Sequence, residues 1–195
     1  MDTEEEKETI RLMKEALAKR RGYADHFGWP IDRDIEECGV VQDLCRSLEK
    51  DSKSFISNVR RRGRGNDPPD CEGQGHDGQR IGIEVTELVD SDAIKAFKTS
   101  GQYRLADWDK EKLVMAIDHR LDAKNVPDRI KDGPYDSYIV VIHTDELLLD
   151  VDSVKSMLGA QKFAKRSLID RAFLLFSYDP RFQIYPHMEL EFVDT

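Results

Sequence analysis

Two carboxylates frame the stretch of chain best equipped for chemistry. Asp70 follows a diproline, Pro68-Pro69, and Glu84 comes after thirteen intervening residues. Glu84 sits inside the alternating run Ile81-Gly82-Ile83-Glu84-Val85-Thr86. Between the two acids, Asp77-Gly78 is a hairpin-turn signal, so the chain returns antiparallel and carries Asp70 toward Glu84. Two ionised carboxylates about 4 Å apart repel by about 4 kcal/mol at an effective dielectric near ~20. A proton or a divalent cation must therefore sit between them. An all-oxygen site with one or two carboxylates suits Mg²⁺ or Mn²⁺. Just before this pair, Arg60, Arg61, Arg62 and Arg64 form a basic cluster. It is either a solvated loop or a grip on a phosphate backbone.

The flanking elements must position these residues. Residues 34–50 read as a helix with Asp34 as N-cap, and Cys38, Val41, Leu44, Cys45 and Leu48 share one stripe. Glu37 falls inside that stripe while Glu36 points away. A carboxylate on an apolar face costs several kcal/mol unless it is paired, hydrogen-bonded or on a metal. Glu37 is thus either an edge residue reaching water or a ligand. Residues 58–80, rich in glycine and polar side chains, read as loop and turn. Residues 81–89 alternate as a strand, with Ile81, Ile83 and Val85 on one face and Gly82, Glu84, Thr86 and Leu88 on the other. A polar stretch leads to a helix over 105–124. Residues 138–142 form a β-branched central strand, 151–164 a helix, 171–177 a buried strand and 183–192 a weaker one. This alternation predicts an α/β sandwich with a mixed sheet. Ahead of it, residues 3–21 read as a charged helix carrying Ile10, Met13 and Leu17, followed by an aromatic connector with Tyr23, Phe27, Trp29 and Pro30. The expected organisation is an N-terminal helical arm, 1–32, and a domain, 33–195. The arm packs on the domain, on a second copy or on a protein partner.

Composition sets outer limits. A net charge of −9 over 195 residues argues against a protein that coats nucleic acid by bulk electrostatics, though not against a local basic patch. The longest apolar runs, 138–142 and 172–176, fall far short of the ~20 residues a membrane-spanning helix needs. Asp2, Glu4, Glu5 and Glu6 do not read as a secretory leader. Three cysteines leave one unpaired in any disulfide scheme, which points to a reduced, cytoplasmic protein. The five histidines show no zinc-ligand spacing. Gly73-x-Gly75-x-x-Gly78 leads into a strand rather than a helix, the wrong context for a dinucleotide loop.

Pro69-Asp70, the Glu84-Val85-Thr86 strand and the helix carrying Glu37 together resemble the PD-(D/E)XK nuclease superfamily, over roughly residues 34–142. The resemblance implies a restriction-endonuclease-like three-layer sandwich and metal-dependent hydrolysis of phosphodiester bonds. It puts Asp70 and Glu84 on the metal, the Val85 carbonyl beside them, and Glu37 in the place of the helix acid. It also implies that the arginine cluster holds nucleic acid. Thr86 stands where the family carries lysine, and the run Ile-Gly-Ile-Glu-Val-Thr-Glu-Leu is similar to members with threonine there. In the family that lysine positions the attacking water and steadies developing charge. Thr86 can hydrogen-bond a water but brings no charge, a loss worth several kcal/mol in a phosphoryl transition state. Three outcomes follow. Lys110, Lys112 or Lys124 substitutes; the site is weakly active; or the protein is an inactive module that binds nucleic acid or protein.

Overall fold

The computed structural model describes residues 33–194, together with Glu8, Arg11, Tyr23 and Ala24. Helix α1 (Arg33–Lys50) leads to strands β1 (Ser57–Arg61), β2 (Cys71–Gln74) and β3 (Arg80–Glu87). Helices α2 (Ser91–Ser100) and α3 (Lys110–Lys124) precede β4 (Ser137–Thr144), and α4 (Val151–Leu158) precedes β5 (Phe163–Ala164) and β6 (Arg171–Phe176). Strands β7 (His187–Glu189) and β8 (Phe192–Val193) close the chain.

Six strands form one mixed sheet in the order β1-β2-β3-β4-β6-β7, and β5 pairs with β8 apart from it. β1-β2-β3 is an antiparallel meander, β3-β4-β6 is parallel, and β7 is antiparallel to β6. The period-two pattern of the strands sorts their side chains into two cores. Ile81, Ile83, Val85, Ile139, Val141, Phe173 and Leu175 meet Val41, Leu44 and Leu48 of α1. Leu88, Val140, Ile142, Ala172, Leu174 and Phe176 meet Leu113, Ile117 and Leu121 of α3 and Val151, Val154 and Leu158 of α4. The result is a three-layer α/β/α arrangement with β4 at its centre. Glu84, being even-numbered in this register, belongs to the α3 side.

Several sequence expectations are corrected. Residues 58–80 are not all loop, since β1 and β2 lie there. β1 is an edge strand with only Val59 half-buried, so it carries no apolar alternation, and its arginines are the charged cover edge strands use against further pairing. The turn at Asp77-Gly78 is as expected: Gly78 has φ +75°, and the Gly75 N–H bonds the Gln79 carbonyl at 2.9 Å. The polar stretch after β3 holds α2, capped by Asp90 accepting from the Ala93 N–H and ended by left-handed Gly101. α3 starts at Lys110 rather than at 105, with Asp109 as its cap. α4 stops at Leu158 because Gly159 takes φ +54°, and residues 163–164 turn back as β5. The 183–192 strand divides into β7 and β8.

Most of the predicted arm, including Trp29, lies outside the described residues. Glu8 and Arg11 are helical and paired with each other. Tyr23 is fully buried against Tyr103, donates to Glu146 at 2.8 Å and accepts from the Ala106 N–H. Among the described residues no helix is long and apolar enough to cross a membrane. Cys38, Cys45 and Cys71 are all free thiols.

Candidate metal centre

The β2–β3 register pairs Cys71 with Ile83 and Glu72 with Gly82. Extending it by one residue sets Asp70 opposite Glu84. Pro69 has no N–H, so the backbone ladder cannot continue past this point. The Asp70 side chain takes over, its Oδ2 accepting the Val85 N–H at 2.7 Å. In an extended strand the N–H and C=O of one residue face the same edge. The Val85 carbonyl therefore points to the edge where β2 stops, on the Asp70 side.

Glu84 is 2% exposed. Its Oε2 receives the Lys124 Nζ at 2.6 Å, and its Oε1 receives the Tyr138 hydroxyl at 3.3 Å. The same ammonium lies 3.8 Å from Asp70 Oδ2. Lys124 reaches the site from the last turn of α3, on the face of the sheet that carries Glu84. Gly82 makes room for this assembly, because a Cβ there would stand 2.8 Å from the Tyr138 ring. A third carboxylate completes the group: oxygens of Asp67, Asp70 and Glu84 lie within 4.8 Å of one another.

The electrostatics follow from burial. Desolvation raises the Asp70 carboxyl, the adjoining Glu84 raises it further, and Lys124 and the Val85 N–H only partly offset them, so it is pushed up to about 8. Glu37 rises to about 7, by burial and then by the charge of Asp70, against the pull of Arg33. Burial alone would lower Lys124, but Glu84 and Asp70 outweigh it and hold the ammonium above its ordinary value. Low dielectric disfavours an unpaired charge, so the site holds a proton on Asp70 and keeps its lysine charged. A divalent cation fits this donor set. Its charge compensates several carboxylates at once, and three carboxylates plus a backbone carbonyl are the hard oxygen ligands such an ion takes.

The residues expected from sequence separate here. Asp70, Glu84 and Val85 come together, and Asp67, on the far side of the diproline, joins them unforeseen. Glu37 stands within electrostatic reach of Asp70 but outside the carboxylate trio, bonded to Arg33 at 2.6 Å. Thr86 shares the Glu84 face yet lines a neighbouring cavity with Trp108, Lys112 and His119. Of the three candidate lysines, Lys124 alone meets the acids. Lys112 is tied to Asp90 at 2.6 Å and lies over the Trp108 ring, and Lys110 is the exposed first residue of α3.

The arginine cluster does not act as one patch. Residues 60 and 61 belong to β1, so successive side chains diverge. Arg60 pairs with Glu72 at 2.8 Å while staying largely exposed. Arg62 is buried among Glu72, Asp132 and the Tyr135 hydroxyl, and is thus a structural cation rather than a phosphate ligand. Arg61 is exposed, and the side chain of Arg64 lies outside the described residues. Tyr138 had no sequence signal beyond its place at the start of a strongly apolar strand. Comparison with protein-family models, with curated proteins and with solved structures gave no match.

Proposed function

We propose that this protein hydrolyses phosphodiester bonds of nucleic acid with the help of a divalent cation, Mg²⁺ or Mn²⁺. The observation that carries the reading is Lys124, whose ammonium lies 2.6 Å from Glu84 and 3.8 Å from Asp70. It supplies the charge that Thr86 cannot. The order α1, β1–β3, α3, β4, with Asp70 ending one strand and Glu84 inside the next, supports a restriction-endonuclease-like core as the finer fold assignment. Lys124 in that place weakens one of the two grounds for an inactive binding module, the missing lysine; the other is the acidic balance of the chain. An intracellular setting, the cytoplasm, belongs to the proposal because all three thiols are free.

Asp67, Asp70, Glu84 and the Val85 carbonyl would hold the cation, which when bound supplies positive charge to the phosphate and acidity to water. The chain's own groups do the rest. Lys124 would donate to a phosphoryl oxygen as negative charge grows there, an interaction that a low-dielectric setting strengthens. Tyr138 holds one oxygen of Glu84, so the carboxylate cannot rotate away when the lysine turns to substrate. Asp70 is fixed by the Val85 N–H and would give up its proton to solvent in order to hold a cation. The exposed Arg61 remains free to meet the backbone of nucleic acid.

The test is cleavage of single- and double-stranded DNA and RNA by purified protein in Mg²⁺ or Mn²⁺, alongside Asp70→Asn and Glu84→Gln. Metal-dependent cleavage that both variants abolish is the expected result. Absence of cleavage on every substrate, with no difference between wild type and variants, overturns the reading.

A further inference from the structure

A cavity of about 730 Å³ opens beyond the start of β4. Its walls include Pro127, Pro134, Tyr135, Tyr138 and Leu168. Tyr138 is common to the cavity and the acids. It is 2% exposed and borders the cavity, and its hydroxyl donates to Glu84 at 3.3 Å. A ligand in the cavity is therefore one side chain away from the carboxylate that would face a scissile phosphate.

The lining has a definite chemistry. Tyr135 is held edge-on to Tyr138 at 6.3 Å between ring centroids, and the Arg80 guanidinium lies 4.7 Å from its ring centre. The partly exposed Tyr135 ring and the faces of Pro127 and Pro134, fixed before binding, favour a flat aromatic ligand. Asp136 and Asp170 also line the space. Each spends one oxygen on a backbone N–H, of Arg80 and of Tyr138 respectively. The other oxygen of each remains an acceptor. Carboxylates repel phosphate but accept from the amino and imino groups of a base, so the wall sorts the two halves of a nucleotide. Exposed Arg129 and Lys131 flank Ile130 on the same lining loop, where a phosphate could stay outside.

We propose that this cavity receives an unpaired nucleobase of the strand whose phosphate lies at Asp70 and Glu84. The proposal rests on the nuclease reading and adds its substrate class. A base stacked and paired in a duplex cannot enter a side cavity, so the substrate is single-stranded or unpaired at that nucleotide. Stacking on an aromatic platform is worth about 5- to 160-fold in affinity per base, enough to set the preference.

The experiment measures binding of fluorescent oligonucleotides to the full chain in Ca²⁺ by anisotropy. The probes are a single strand, its blunt duplex, and the same single strand with abasic sites in place of nucleotides. Ser167, an exposed lining residue, is changed to tryptophan to fill the space, and the Mn²⁺-induced thermal shift of each protein is recorded as a check on the metal site. The single strand should bind about tenfold or more tighter than the duplex and the abasic strand. Ser167→Trp should lose that advantage while keeping the wild-type Mn²⁺ shift. Equal binding of intact and abasic strands, or an unaltered preference in Ser167→Trp, overturns the proposal. A wild type lacking any Mn²⁺ shift would instead count against the metal centre, and the three probes would still report on the cavity.

Discussion

Replacing Lys124 with methionine separates charge from shape, because methionine fills much of the same volume without the ammonium. At an effective dielectric near ~20, the Lys124–Glu84 ion pair at 2.6 Å attracts by about 6 kcal/mol, and Asp70, which holds its proton near neutral pH, adds no full charge to it. Desolvation of the pair offsets much of this attraction. Net of that desolvation, loss of the ammonium should lower stability by about 1–3 kcal/mol near neutral pH. Catalysis has no such relief. A charge-bearing donor to a phosphoryl transition state is worth about 3–5 kcal/mol, so the rate at saturating metal should fall about 10²- to 10⁴-fold. Metal binding should move the other way, since the cation no longer displaces an ammonium from Glu84. The assay is single-turnover cleavage across a Mn²⁺ titration, paired with Mn²⁺-dependent melting of the same preparations. A variant that cleaves within about twofold of wild type refutes the assignment of Lys124. So does one whose whole loss of rate is recovered by adding more metal.

Other outcomes follow from the same geometry. In the metal-free protein, Asp70 rises from 3.8 to about 8 and Glu37 from 4.5 to about 7. Folding thus takes up protons at these sites, and the stability they contribute is present below about pH 4 and lost as pH climbs through about 8. His187, lowered by burial, opposes this trend at the acid end, so the melting curve is to be compared with that of Asp70→Asn, in which the alkaline loss should shrink. That variant keeps an acceptor for the Val85 N–H, and its Mn²⁺ shift should vanish while its metal-free melting temperature at pH 8 stays level or rises; a retained shift would mean that Asp70 is no ligand. Arg62→Ala should cost about 2–3 kcal/mol in denaturant unfolding by breaking a buried ion-pair network. Arg61→Ala should stay within about 0.5 kcal/mol and weaken oligonucleotide binding at low salt; equal stability losses in the two would contradict the division drawn within the arginine cluster.

How much could be read from the chain alone depended on burial. Elements with two apolar faces or a full stripe, β3, β4, β6 and α1, declared themselves through Ile83, Val140, Phe173 and Leu44, because their periodicity is what packing demands. β1 and α2 did not. The residues of β1 face water on an exposed edge, and α2 buries chiefly Ala93, so neither needed an apolar pattern strong enough to be seen. At the site, Asp70 and Glu84 were legible since a turn and a register fix their distance. Asp67 was hidden because its approach depends on the path through the diproline, which no periodicity encodes. Lys124 lies between these cases. Spacing along α3 could not choose among three lysines, but topology could. A helix that returns from the top of β3 to the start of a parallel β4 must bring its C-terminal end back past the strand's interior, where Glu84 lies. That excludes Lys110 and Lys112, which begin the helix, and leaves Lys124. In the PD-(D/E)XK superfamily, which the motif only resembles, the lysine sits two residues after its acid on the same strand; here an ammonium reaches Glu84 from forty residues on, carried by the crossover helix. The demand is for an ammonium beside two buried carboxylates, and a fold can meet it from any element whose end passes the site.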